Sequence, residues 1–229
     1  MSRRFWIPIA AVAALIVLGG GGAYAYFFSG LRSTPPTLAL SSPSPIASTS
    51  ASPTTASAGT GTWTVASGSL AGYRVKEQFV GQSSSHEAVA RSSAVSGQAT
   101  IAQSATAYQL SAATITVQLT SLASVDSVAG YNVTNRDRIV QQSLNVSSFP
   151  TAVFEAQSVT LPAGAAVGQT VTVAVPGKLT IHGVTKDVTA NLQLRVSGSS
   201  AQIAGTIVTK MTDFGVNPPS IGFTTVQWR

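Results

Sequence analysis

From Trp63 onward the chain alternates apolar and polar positions with a period of two. Tyr73, Val75 and Phe79 share one face, with Arg74, Lys76 and Gln78 on the other. Ile115, Val117 and Leu119 alternate with Thr114, Thr116 and Gln118, and Val171, Val173 and Val175 alternate with Thr170, Thr172 and Ala174. Leu192, Leu194 and Val196 alternate with Asn191, Gln193 and Arg195. Successive strand side chains point to opposite faces, so the pattern predicts antiparallel strands with one wet face. The strands fall near 62–66, 70–80, 94–102, 107–120, 151–160, 170–182, 186–197 and 201–212, with Gly, Pro and Ser at the breaks. Between Gly177 and Val188 two strands meet at a Gly-containing turn. One short helix is predicted, Arg136 to Ser143, with Asn135 as its N-cap. About eight strands without long helices make a sandwich or a closed barrel, and the pattern alone does not choose between them.

The N-terminal part follows other rules. Phe5 to Phe28 is an uncharged run of 24 residues, longer than the roughly 20 needed to cross a bilayer. Arg3 and Arg4 precede it and Arg32 follows, a bias that keeps the N-terminus in the cytoplasm. This predicts an uncleaved anchor, residues 1–30; the alternative is a signal peptide cut near Ala23-Tyr24-Ala25. Either way the rest of the chain is extracytoplasmic. Ser29 to Thr60 holds nine Ser, six Thr and five Pro with a single charge. That composition buries too little apolar surface to offset ordering entropy, and it predicts a mobile tether over residues 31–60. Residues 61–229 are left for one folded domain.

Net charge is +6, but Arg3, Arg4 and Arg32 belong to the membrane segment. The remaining charges are scattered without a basic stripe, which argues against nucleic acid as a partner. Cysteine is absent, which excludes disulfides, thiolate metal sites and a thiol nucleophile. The sequence offers no nucleophile elbow, no singled-out pair of carboxylates and no phosphate-cradling loop, so no catalytic residues and no cofactor are expected. Six residues at four places in the chain hold the remaining candidate chemistry. Glu77 shares the apolar face of Tyr73 and Val75, so it either pairs with an inward Arg or meets a ligand head group. Arg136 and Asp137 head the helix, where Arg136 either holds a neighbouring carboxylate or contacts a phosphate. His182 sits beside Gly183 in the turn. His86 and Glu87 fall in a polar stretch, Gly81 to Ser93, read as an exposed loop; two distant histidines without clustered acids make no metal site.

Five segments together resemble the YceI-like proteins: Trp63-Thr64-Val65, Asn135-Arg136-Asp137, Ser148-Phe149-Pro150, Leu179 to Lys186 (Leu-Thr-Ile-His-Gly-Val-Thr-Lys) and Thr212-Asp213-Phe214-Gly215. The resemblance covers residues 61 to 229. It implies an all-β, antiparallel, lipocalin-like β-barrel with one short helix, enclosing a lumen suited to an isoprenoid chain. Here that barrel is preceded by the transmembrane helix and the disordered linker. It also implies one more strand after Gly215, whereas the chain ends at Trp228-Arg229, where that strand is expected to begin. The family's early Asp and His-Ser positions read here as Ala66, Ser67, Gly68 and Ser69, so any role of that acid or imidazole is absent.

The resulting expectation is a membrane-tethered, non-catalytic protein holding a polyprenyl lipid or quinone. The expected lumen residues are Tyr73, Val75, Glu77, Phe79, Ile115, Val117, Leu119, Phe154, Leu179, Ile181, Leu192 and Leu194, with Arg136 and His182 at the head group. The alternative is a solidly packed barrel that serves the cell envelope through its surface.

Overall fold

The computed structural model describes residues 32–41, 60–79, 85–103, 107–128, 132–167, 169–197, 200–217 and 224–227. The expected anchor, Phe5 to Phe28, lies outside them. Among the described residues no helix is long and apolar enough to cross a membrane.

The strands are β1 (Arg32–Ser33), β2 (Gly61–Thr64), β3 (Ala71–Phe79), β4 (His86–Ser92), β5 (Val95–Gln103), β6 (Tyr108–Gln118), β7 (Ala123–Ser124), β8 (Ser127–Val128), β9 (Thr151–Ala156), β10 (Val159–Thr160), β11 (Val171–Ile181), β12 (Val184–Ser197), β13 (Ser200–Ile207) and β14 (Thr224–Gln227). The helix α1 spans Val133–Ser143. All pairings are antiparallel. The main sheet runs β13-β12-β11-β9-β6-β5-β2 and curls into a half-barrel; a second sheet, β14-β3-β4-β7, stands beside it. Among the described residues no ladder joins the two, so the closed barrel expected from the sequence is a half-barrel complemented by a small sheet.

The β11–β12 hairpin is the longest ladder, pairing Val171 with Leu194 through to Ile181 with Val184. Its two-residue turn has positive φ at both central residues, His182 (54°) and Gly183 (74°), the geometry that matches strand twist. A Cβ on Gly183 would stand 2.6 Å from the Phe149 ring, so glycine is also required for contact. The resemblance motifs meet here. Phe149 stacks edge-on against His182 with centroids 5.0 Å apart, and His182 Nδ1 lies 3.3 Å from the Phe214 carbonyl oxygen.

Four expectations need correction. The helix starts one turn early, because the Asn132 side chain, not Asn135, accepts the Thr134 N–H at 3.0 Å. The stretch read as an exposed loop contains strand β4, with His86 buried. The strand expected to be missing after Gly215 is present as β14, pairing Thr224 with Phe79 and Gln227 with Lys76. Finally, residues 32–41, read as free tether, lie against the domain. Arg32 pairs with Val128 and Ser33 with Ser127, while Arg74 and Arg91 donate to the carbonyls of Pro35 and Pro36.

Candidate functional site

Two interiors lie inside the fold, and Phe154 separates them. On one side Leu119, Leu122, Leu144, Leu179, Phe214 and Val216 form a cluster joined by Val140 of α1 and Met211. Phe214 is completely buried at its centre. On the other side Leu110, Leu161, Ala165, Val173, Val175, Ala190 and Leu194 form a second cluster. Phe154 and Ile207 pack against both. The Phe154 ring fits because Gly177 faces it across the β9–β11 ladder, where a Cβ would come within 2.6 Å of the ring.

Beside the first cluster lies a buried charge network built from four elements. Glu77 comes from β3, His86 from β4, Asp126 from the segment between β7 and β8, and Arg136 from the first turns of α1. Arg136 Nη1 donates to Glu77 Oε2 at 3.1 Å, and Nη2 donates to Asp126 Oδ1 and to Ser124 Oγ. His86 Nε2 lies 2.7 Å from Asp126 Oδ2, and the Val89 N–H donates to Asp126 Oδ1 at 3.0 Å. Asp137 accepts from the Ser124 N–H and hydroxyl, which fixes β7 onto the helix. Burial alone would raise the Asp126 carboxyl, but hydrogen bonds from His86, Arg136 and Val89 hold it down at about 2. Asp126 is therefore ionised and acts as an acceptor in this network. Burial pushes Glu77 above its ordinary range, and Arg136 pulls it back only in part. The Arg136 guanidinium is held charged: burial opposes this, but the Asp126 bond and the two carboxylates outweigh it.

This network has the chemistry of a lock. Asp126 and Glu77 neutralise Arg136, no activated nucleophile lies in the network, and no cluster of metal-ligating side chains occurs among the described residues. Two buried polar atoms have no partner among the described residues, Tyr73 Oη and Arg136 Nε.

The second interior contains an apolar cavity of about 100 Å³ whose lining exposes no polar atom. Ala99 and Ile101 of β5, Leu110 of β6, Val173 and Val175 of β11, and Leu192, Leu194 and Val196 of β12 form its wall. Trp63, Tyr108, Leu161, Ala165, Ala201 and Ile203 complete it. Ile203, on the edge strand β13, is 61% exposed and marks the opening.

Of the expected lumen residues, Leu192 and Leu194 line this cavity. Tyr73, Leu119, Leu179 and Ile181 fill the other interior, and Phe154 forms the floor between them. Val75 is buried on β3. Ile115, half-buried, sits opposite Phe154, and Val117, also half-buried, lies two residues on along β6. Phe79 is placed by its backbone pairing with Thr224, and its side chain is not among those described. Glu77 and Arg136 form a buried pair, and His182 sits in the hairpin turn against the Phe214 carbonyl oxygen. The sequence reading missed Trp63, Tyr108, Val173, Val175 and Ile203 as cavity residues, and His86 and Asp126 as partners. Alternation had already placed Val173 and Val175 on a dry face, but it does not say which of two interiors a dry face serves.

Comparison with known proteins places this arrangement. The model of the YceI-like domain matches residues 63–227. No curated protein matches the chain. Among solved structures, the chain is similar to "a polyisoprenoid binding domain from Saccharophagus degradans implicated in plant cell wall breakdown", with 16% identity, a TM-score of 0.47, and 69% of this chain and 82% of that chain covered. It is also similar to Burkholderia cenocepacia BcnA, with 20% identity, a TM-score of 0.44, and 64% and 82% covered.

Proposed function

The chain belongs to the YceI-like family, and from that premise we propose that it is a membrane-anchored extracytoplasmic protein holding an isoprenoid-class lipid in its apolar cavity. One observation carries the reading: the cavity lining exposes no polar atom, while the buried charges among the described residues pair with one another. Such a site binds by desolvation, with each buried methylene contributing about 0.8 kcal/mol. It needs no head-group contact, which is why Arg136 and His182 are free to serve the fold. One water needs roughly 10–15 Å³ of such space, so about 100 Å³ takes the end of a polyprenyl chain rather than its whole length. The remainder leaves past Ile203. Holding and releasing such a chain involves no bond making, and we assign no catalytic step.

The filled interior around Phe214 supports a second reading, a packed module acting through its surface. Organic extraction separates the two. The chain produced from Arg32 onward, purified without detergent and analysed by mass spectrometry, is expected to yield an isoprenoid lipid. A protein that carries no lipid, and does not take up a long-chain quinone when offered one, is the packed module.

A further inference from the structure

The cavity lies at one particular end of the half-barrel, and antiparallel register identifies which. The strands form a meander, so their turns alternate between two ends. The His182-Gly183 turn, Ser92 beside Ser121 and the start of β3 at Ala71 share the first end. The breaks after Phe79, Gln103, Val128 and Ser197 share the second. Cavity residues Ile101, Tyr108, Val173, Val196 and Ile203 belong to this second end. So does Val128, reached by a segment that climbs beside β4 from Arg91 past Val89 toward His86.

Val128 is the residue that pairs with Arg32. The chain therefore joins the domain at the cavity end, and from there residues 34–41 lie on its outer wall as a strap. Pro35 and Pro36 have no N–H to extend a ladder, and arginines satisfy their carbonyls instead. Arg74 Nη2 of β3 donates to Pro35 O, and Arg91 Nη2 of β4 donates to Pro36 O at 2.7 Å. Arg195 Nη2 of β12 donates to Ser41 O, so one strap bridges both sheets. Thr34 Oγ1 adds a bond to Glu87 O at 3.4 Å.

The uncharged run ends at Phe28, and only Ser29, Gly30 and Leu31 separate it from Arg32. Three extended residues reach roughly 10 Å, against about 100 Å for the whole Ser/Thr/Pro tract at its full extension. We propose that the strap seats the cavity end of the domain directly on the bilayer that holds Phe5 to Phe28, so that an apolar chain passes between bilayer and cavity without crossing bulk water. The inference rests on the membrane-anchor reading above. It makes the partner a lipid surface.

The natural absence of cysteine makes the test direct. Full-length chain bearing Gln103→Cys at the cavity end or Ser148→Cys at the opposite end, both exposed, is labelled with a donor dye. Each is reconstituted in phosphatidylethanolamine/phosphatidylglycerol vesicles containing an acceptor-labelled lipid. Both proteins are expected to float with the vesicles, with several-fold stronger energy transfer from position 103 than from 148. A long Gly/Ser segment inserted between Ser29 and Gly30 is expected to abolish that difference. Combined Arg74→Ala, Arg91→Ala and Arg195→Ala substitutions are expected to weaken transfer from position 103 without loss of flotation. Flotation with equal transfer from both ends, or transfer unmoved by the insertion, overturns the seating while leaving the anchor intact. Failure to float overturns the anchor and the seating together.

Discussion

The interior below Phe154 and the interior above it share strands β9, β11 and β12, yet they are finished in different ways. Below, the fold inserts material from outside the sheets: α1 brings Val140 and Leu144, and the turn at Met211–Phe214 brings a fully buried ring. Above, the connection after β10 adds only Leu161 and Ala165 to a wall that is mostly Val, Leu, Ile and Ala, and a void of about 100 Å³ remains. An unfilled apolar void deprives its lining of the packing contacts it would otherwise make, which costs stability when the void is unoccupied. The dense half, with its charge network, offsets that cost. Stability is thus assigned to one end of the half-barrel and the proposed binding to the other, and each assignment can be broken separately.

The largest effect is expected at Arg136. Arg136→Ala leaves Glu77 and Asp126 buried without their counter-ion, and breaking a buried pair in this way destabilises by about 3–5 kcal/mol. Urea unfolding followed by Trp fluorescence measures it. A loss below about 1 kcal/mol, the range of surface pairs, would show that the network is not the lock described above.

Acid reaches the same network without mutation. Asp126 has its carboxyl at about 2 in the folded chain against 3.8 for the free side chain. Its contribution is therefore complete above pH ~4 and is lost as pH falls toward 2, with a size of roughly 2 kcal/mol at about 1.4 kcal/mol per pKa unit. Glu77 has the opposite sign. Its carboxyl is raised by burial, so its contribution is complete below about 4.5, its ordinary value, and is lost as pH rises through the folded value. Unfolding free energy measured across this range is expected to fall on the acid side in the native chain. Asp126→Asn should flatten that limb, and Glu77→Gln should remove the decline on the other.

How much of this was legible in the sequence depends on how local the signal is. The β11–β12 hairpin was readable because alternation and a glycine turn both lie within a dozen residues. Choosing a barrel over a sandwich required the resemblance, since alternation is the same in both, and its opening into a half-barrel with a separate small sheet was not legible. Strand β4 was missed because it lacks a wet face. Ala88 and Ala90 are buried on one side, and Val89, on the side crossed by the strap, is 3% exposed, so no period of two is visible. His86 and Asp126 are 40 residues apart and meet only through tertiary pairing. The strap was read as tether because Ser/Thr/Pro composition reports the lack of a core, whereas its docking depends on arginines contributed by β3, β4 and β12.

The upper interior is probed by filling it. Ala201 lines the opening of the cavity on β13 and is exposed, so Ala201→Trp places a large ring over the mouth at little cost to the fold. Lipid affinity is expected to weaken about tenfold, equivalent to about 1.4 kcal/mol, while thermal stability stays within about 0.5 kcal/mol of the native chain, as for other surface substitutions. Titration with a fluorescent polyprenyl probe checks the first and calorimetry the second. Unchanged affinity would place the ligand outside this cavity.

The smallest effect distinguishes the two interiors by sign. The Tyr73 hydroxyl is buried against the charge network without a partner among the described residues, and burial pushes its ionisation well above the ordinary tyrosine value. An unpaired buried hydroxyl costs about 1–3 kcal/mol by protein mutational measure, and Tyr73→Phe removes that oxygen while keeping the ring packed against Leu179 and Phe214's cluster. The substitution is expected to stabilise the chain by up to about 1 kcal/mol, read as a higher urea midpoint, with lipid affinity unchanged because Tyr73 lies below the Phe154 floor. Destabilisation instead would mean that the hydroxyl is held by a bound water spanning Tyr73 and the orphaned Arg136 Nε, and the filled half would then be a wet core rather than a dry one.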